Sequence, residues 1–211
     1  PWFMETGSKG SPGTKLLSIS GDCRMPGVYE VPFGTRVSDL LKMAGAEDAA
    51  ALQVGGPSGQ MIGPHDFKRT ICYDDLATGG SIMIFNSKRN ILQIASAFMD
   101  FFSEESCGYC TPCRAGNVLL RKRLERIIAG KGEPADLDYL QELGESIKLT
   151  SRCGLGQTSP NPVLSTLKNF RDLYEKSVKR SKDGLMQSFD VRAALADAEA
   201  IAGRVSELFH G

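Results

Sequence analysis

The sequence predicts an α+β chain, a small ubiquitin-like β-grasp module followed by a four-helix bundle. Three observations predict it. Apolar residues recur with a period of two up to about Asn86 and with a period near 3.6 beyond it. The first part orders its elements as two strands, one helix, then further strands. The second part holds four amphipathic stretches joined by short links, the pattern of a bundle.

Residues 1–13 read as a linker. Trp2 and Phe3 are apolar and are expected to anchor on a surface, while Gly, Ser and Pro dominate the rest. The β-grasp module is expected over 14–86. Leu16–Ser20 and Val28–Val31 form a hairpin across a long loop that includes Met25-Pro-Gly27. Ser38 is placed to cap a helix running to Ala44, with Val37, Leu40, Leu41 and Ala44 on one face and Gly45 ending it. Ala51–Val54 leads into the loop Gly55-Gly-Pro-Ser-Gly59, and Ser81–Phe85 closes the module as a buried strand. The glycine-rich loop invites a phosphate-binding reading. It lacks the Lys-Ser/Thr ending of a P-loop, and a turn is the better reading.

The helical domain is expected over 87–183. Ile91, Ile94, Ala95, Phe98, Phe101 and Phe102 mark a first helix whose broad apolar face should be largely buried. Val118, Leu120, Leu124, Ile127 and Ile128 mark a second, ended by Gly130 and Gly132. Leu137, Leu140, Leu143 and Ile147 mark a third that starts near Pro134. Pro162, Val163, Leu167, Phe170, Leu173 and Tyr174 mark a fourth. The basic run 176–183 reads as a solvated helix end, where cations are favourable. An extension over 184–211 carries an apolar side, Val191, Leu195, Ala198, Ile201 and Val205 among it, that suits a last helix over 189–209.

The cysteines are placed unevenly on this frame. Cys107, Cys110 and Cys113 stand at C-x2-C-x2-C spacing in Glu105-Ser-Cys-Gly-Tyr-Cys-Thr-Pro-Cys-Arg114, between the first and second helices. Cys153 stands in Ser-Arg-Cys-Gly-Leu-Gly, between the third and fourth. Up-down topology puts both loops at one end of the bundle. A cubane [4Fe-4S] cluster needs four thiolates, and a compact triplet plus one remote Cys is a known ligand pattern. Structural zinc more often takes two separated pairs. Disulfides are the default only in small Cys-dense secreted domains. Four unrelated buried thiols are the blandest alternative. Gly108, Gly154 and Gly156 let the backbone wrap close to a ligand, and Arg114 either sets a positive charge beside an anionic cluster or is simply solvated. Cys23 and Cys72 read as ordinary thiols, His65 as solvated and His210 as frayed. Tyr109 is assigned no role.

Composition bounds the function. The chain has 211 residues, and Lys+Arg and Asp+Glu both total 25, a balance that argues against a general nucleic-acid binder. A hydrophobic share of 41% suffices for a core, and no run approaches a membrane span. A thiolate-bound cluster calls for a reduced, cytoplasmic-type compartment. The chain opens on Pro1, so a processed piece or fragment is expected.

These residues resemble the C-terminal half of the flavoprotein NADH-binding subunit family, found in respiratory complex I, NAD-reducing [NiFe] hydrogenases and NAD-dependent formate dehydrogenases. The resemblance rests on Glu-Ser-Cys-Gly-Tyr-Cys-Thr-Pro-Cys-Arg, on Cys-Gly-Leu-Gly, and on Ser-Pro-Gly-Thr-Lys-Leu-Leu-Ser-Ile-Ser-Gly with Pro-Gly-Val-Tyr-Glu. It covers roughly residues 9–175. It implies a soluble-ligand-binding β-grasp (SLBB) domain before a helical domain that binds one [4Fe-4S] cluster, and it carries the ligand role onto Cys107, Cys110, Cys113 and Cys153. It further implies a parent oxidoreductase that moves a hydride between NADH and FMN, then passes electrons singly through this cluster to a small iron–sulfur partner subunit. The family's FMN- and NADH-binding domain has no counterpart in these residues, so none is assigned to catalysis. That domain, or a subunit supplying it, is an expected partner. The stretch Gly21-Asp-Cys-Arg-Met-Pro-Gly27 and the long tail favour the hydrogenase branch, with complex I and formate dehydrogenase as alternatives. A non-catalytic ligand-binding or assembly module is the alternative of a different class.

Overall fold

A parallel strand pair at the centre of a five-stranded sheet organises the first part of the molecule. The computed structural model describes residues 2–179 and 199–204. The main sheet contains β3 (Thr14–Gly21), β4 (Gly27–Pro32), β5 (Ala49–Val54), β6 (Gln60–Ile62) and β7 (Ser81–Asn86), in the order β4-β3-β7-β5-β6. β3 and β4 form the antiparallel hairpin, with Leu17 opposite Tyr29. β3 and β7 pair in parallel, and β5 runs antiparallel to both β7 and β6. Ahead of the sheet, the stretch read as a linker holds a 3-10 turn, Trp2–Glu5, and a small hairpin of β1 (Gly7–Ser8) with β2 (Ser11–Pro12).

Period-two alternation assigns the two sheet faces. Leu17 and Ile19, Leu52 and Val54, and Ile82 and Ile84 look to one side. There they pack on Val37, Leu40, Leu41 and Ala44 of α1 (Val37–Ala44). The helix ends as the sequence predicts: Gly45 takes φ 65°, and the Gly45 and Ala46 amides donate to Lys42 and Leu41. Its start differs. The N-cap is Arg36, with no side-chain cap bond, and Ser38 lies inside the helix. The first amides need no capping hydroxyl, because Val37 N–H donates to Arg69 O (3.0 Å) and Ser38 N–H to Phe67 O (2.8 Å).

The helical part comprises α2 (Ile91–Glu104), α3 (Thr111–Ile128), α4 (Pro134–Thr150), α5 (Gly154–Thr158), α6 (Asn161–Asn169) and α7 (Arg171–Ser177). Asn90 caps α2, its side chain accepting from the amides of Leu92 and Gln93. Leu92, Ala95, Met99, Leu120, Leu124, Ile127, Leu137, Leu140 and Tyr174 meet in the bundle core. The expected fourth helix is broken at Phe170 (φ −133°, ψ 38°), so it becomes α6 and α7. The break turns Phe170 toward a second cluster with Ala51, Met61 and Ile91, between the sheet and the helices. Phe101, expected in the buried face of the first helix, is 42% exposed; Leu92 and Met99 take the inward positions instead.

Sheet and helices are joined by hydrogen bonds as well as packing. β6 is an edge strand, and its outward backbone groups bond α6: Met61 N–H donates to Ser165 Oγ (3.0 Å) and Asn169 Nδ2 donates to Met61 O (2.7 Å). At the far end of the α3–α4 pair, buried Asp136 meets Arg123 and Arg126 and accepts from the Glu133 amide in a capping box.

Residues 180–211 form a separate unit, of which 199–202 are described as helical. The helix expected over 189–209 does not continue through Gly203 and Arg204, where Gly203 takes φ 63° in a turn; its other positions lie outside the described residues, as do His210 and the end of the basic run. No helix among the described residues is long and apolar enough to cross a membrane.

Asp22, in the β3–β4 loop, accepts from both Arg89 Nε (2.8 Å) and Arg89 Nη2 (2.7 Å) and from the Asn86 amide, so it staples the hairpin to the β7–α2 link. The Arg89 hydrogen bonds, then the Asn86 amide, lower its carboxyl from 3.8 to about 2. A carboxylate depressed on folding stabilises the folded state above its unfolded pKa, and that contribution vanishes as pH falls through the folded value. Between about pH 4 and pH 2, urea denaturation of the parent chain should therefore lose more stability than that of Asp22→Asn. Parallel losses in the two proteins would remove the staple.

Candidate metal centre

The cysteine triplet is carried by the α2–α3 loop and the start of α3. Cys107 is exposed on the loop, Cys110 is the N-cap of α3, and Cys113 is buried in its first turn. Pro112 sits in that first turn, where its missing amide costs no hydrogen bond. Cys153 is exposed and is the N-cap of the short α5. Cys110 therefore stands where unpaired helix amides favour a thiolate. The backbone N–H of Arg152, then that of Cys113, holds its thiol below the ordinary range against opposing burial, and the Arg114 charge assists.

Three ties bring the Cys153 segment onto the triplet loop. The first is a chain of polar contacts around Cys113. Its Sγ lies 3.2 Å from Ser106 Oγ and accepts from Asn117 Nδ2 at 3.5 Å, while Asn117 Oδ1 accepts from Ser159 Oγ at 2.7 Å. The second is a cation–π contact, with the Arg152 guanidinium 4.9 Å from the Tyr109 ring centroid. The third is steric. A Cβ on Gly156 would stand 2.6 Å from Ser151 Cβ, 2.7 Å from Ser151 Oγ and 3.2 Å from Cys113 Cβ, so α5 folds back on the end of α4, close against α3, only because residue 156 has no side chain. Within the loop, Gly108 adopts φ 75°, and Arg114 Nη1 donates to Gly108 O at 2.7 Å.

The two loops are brought together, but the four sulfurs are not gathered. Among the described residues no three Cys, His, Asp or Glu side chains are grouped to hold a metal ion. Cys113 turns to Ser106 and Asn117, and Cys107 and Cys153 are exposed. The chemistry of the donor set nevertheless fits an iron–sulfur cluster. Four thiols lie on the two adjoining segments, and the groups around them donate. Ser106 Oγ and Asn117 Nδ2 suit a thiolate as well as a thiol. Ser151 Oγ is buried at the same pole with no hydrogen-bond partner, a donor in reserve.

Asn117 and Ser159 are absent from the sequence reading, and Ser106 and Ser151 stand in its motifs without a role. Asn117 had a visible signal: the buried stripe Leu120, Leu124, Ile127, continued toward the N-terminus, runs through Asn117 to Cys113. The other two cysteines lie elsewhere. Cys72 is buried against Thr70 (3.5 Å), and Cys23 packs on the core beneath the sheet. His65 is exposed, beside Asp66.

Residues 93–177 match the family described as the NADH-ubiquinone oxidoreductase-F iron–sulfur binding region. The chain is 47% identical over 199 residues to the NAD-reducing hydrogenase HoxS subunit alpha of Cupriavidus necator, an alignment covering 94% of this chain and 33% of that protein. It is 40% identical over 192 residues to the NADP-reducing hydrogenase subunit HndC of Solidesulfovibrio fructosivorans, covering 86% and 39%. A crystal structure of an NAD+-reducing [NiFe]-hydrogenase in the H2-reduced state superposes with a TM-score of 0.82 at 34% identity, covering 98% of this chain and 36% of that one. The chain thus spans between 33% and 39% of the length of these two curated relatives. The family match supports a [4Fe-4S] cluster.

Gly156→Ala tests the steric tie. Overpacking of this kind costs about 1–3 kcal/mol, and the variant should melt earlier in urea by that amount. It should also make Cys110 less reactive toward a thiol reagent near neutral pH, because the Arg152 amide that favours its thiolate withdraws with α5. Unchanged stability and reactivity would show that the two segments do not depend on this contact.

Proposed function

We propose that this chain, which carries in residues 93–177 the iron–sulfur binding region of the NADH-ubiquinone oxidoreductase-F family, is the electron-relay part of an NAD(H)-dependent oxidoreductase. Cys107, Cys110, Cys113 and Cys153 hold one [4Fe-4S] cluster. The observation that carries the reading is the meeting of the C-x2-C-x2-C loop with the Cys153 turn through Arg152 and Gly156. When bound, the cluster supplies one-electron exchange between FMN, on a domain or subunit outside this chain, and a small iron–sulfur partner subunit.

The residues of this chain bind and orient. The α3 N-terminus and the Arg152 amide favour the ionised form of Cys110. Ser106 and Asn117 fix Cys113, and hydrogen bonds to ligating sulfur stabilise the reduced form and raise a cluster's potential. The Arg152–Tyr109 contact ties the two loops to each other. Arg114 is spent partly on the Gly108 carbonyl, so its contribution is loop shape as well as charge. An NAD-reducing hydrogenase subunit, an NADP-reducing one and an NAD+-reducing hydrogenase structure among the relatives support the NAD-reducing hydrogenase branch, and thiolate ligands suit a reduced, cytoplasmic-type compartment. The family's own description keeps the complex I branch as the second reading.

Anaerobic purification followed by iron, acid-labile sulfide and EPR measurements should give about four irons per chain and a one-electron signal on reduction. Stoichiometric zinc in place of iron would falsify the cluster. Cys153→Ser should lower iron content several-fold, whereas Cys72→Ser should leave it unchanged; equal losses would contradict the ligand set.

A further inference from the structure

A cleft of about 750 Å³ opens between the glycine-rich loop 55–59 and the helices α4 and α6, away from the cysteines. Three cations line it, Lys148, Lys168 and Arg171, and no carboxylate does. Arg171 has a partner outside the lining, Glu175 at 3.0 Å. Neither lysine has an ion-pair partner among the described residues. Each stands in the last turn of its helix, where a cation is favourable on its own. Their convergence with Arg171 on one concavity has no such account, since like charges facing a shared cleft repel. The cleft between α2 and α3 shows the opposite character, with Asp100 and Glu125 in its lining.

The remaining lining is that of a small-molecule site. Val54, Leu164 and Leu167 supply an apolar floor, and Gln60, Asn161 and Ser165 supply hydrogen-bonding groups. The walls are fixed to one another before any ligand arrives. Asn161 Nδ2 donates to Ser58 O (2.7 Å), pinning the glycine-rich loop to α6, and the Met61 amide donates to Ser165 Oγ. A pre-formed wall reduces the ordering cost of binding. We propose that this cleft binds a small organic anion of nucleotide size, with its phosphate or equivalent multiply charged group on Lys148, Lys168 and Arg171 and an apolar body on the Leu164 floor. The site uses none of the cysteines, so it stands whether or not they hold a cluster.

Isothermal titration of the 211-residue chain with ADP and, separately, with inorganic phosphate tests it. ADP should bind saturably and more tightly than phosphate, because only ADP has a body for the floor. Its affinity should fall as salt rises. The double variant Lys148→Gln/Lys168→Gln should weaken ADP binding roughly tenfold or more, since charge-assisted contacts to phosphate are the strong ones. Both lysines are exposed, so folding should survive, and an unchanged melting curve checks that. Lys122→Gln, an exposed α3 lysine outside the lining, should leave ADP binding unchanged and so separates a site from general charge. Four outcomes each overturn the proposal: no saturable ADP binding up to roughly 1 mM, equal affinity for ADP and phosphate, equal weakening by Lys122→Gln, or binding of an acidic peptide without binding of ADP.

Discussion

The rest of the cysteine pole depends on how closely α5 approaches the first turn of α3. Gly156 sits against Cys113 and Ser151 with no space for a methyl group. That spacing places Arg152 beside Cys110 and Tyr109, and it lets Ser159 reach Asn117. The contacts it permits are individually small. An exposed cation–π contact is worth about 0.5–1 kcal/mol, and a net hydrogen bond about 1 kcal/mol. None of them could bring the two segments together unaided. The bundle core does that, and the small contacts fix the final placement. Cys107 and Cys153, which remain exposed, are the groups that a bound centre would order most, as expected where metal binding and local folding are coupled.

The helices are held in place by the sheet as much as by each other. An edge strand exposes unpaired backbone groups, a liability that proteins cover or blunt. Here α6 covers β6, with Ser165 and Asn169 spaced by four so that both reach Met61 from one helix face. The break at Phe170 completes the fit by sending its ring to Ala51, Met61 and Ile91. β6 is thus both the last strand of the sheet and the seat of α6. Because α6 follows α5 across only Ser159 and Pro160, the sheet helps to set the position of the Cys153 turn.

Much of this was legible in the sequence, for identifiable reasons. The strand–strand–helix order, the Gly45 stop and the stripes of α3 and α4 rest on local periodicity, and they appear where periodicity puts them. The resemblance to the family was legible from several short motifs, most of all Glu105 to Arg114, where seven of ten residues are Cys, Gly, Pro, Ser or Thr in an order that no structural period generates. What was not legible depended on tertiary partners. Arg36 rather than Ser38 starts α1 because the segment 67–69 satisfies its amides. Phe170 breaks a stretch with a continuous apolar pattern because its ring has a better place against the sheet. Phe101 faces outward because Met99, a position the pattern passed over, fills the core. The four Cys read as one set in the sequence, yet side-chain directions at the pole obey local hydrogen bonds such as Cys113 to Ser106.

The two ends of the α3–α4 pair show where local rules are kept and where they are broken. At one end Asp136, Glu133, Arg123 and Arg126 form a closed ionic network with a capping box, and each buried charge has its partners. At the other end a polar Asn117 occupies a core position, Ser151 Oγ is buried without a partner, and Tyr109 is 72% exposed. Both ends belong to the same helices and share one hydrophobic core, so packing alone cannot explain the contrast. A sequence that keeps patterning and polar pairing consistent in one place and departs from both in another has a reason beyond the fold. The departures here all supply donors, small residues or exposed thiols. Those are the groups an anionic sulfur-bound centre needs around it, and a bundle built only for stability would have replaced them with leucine.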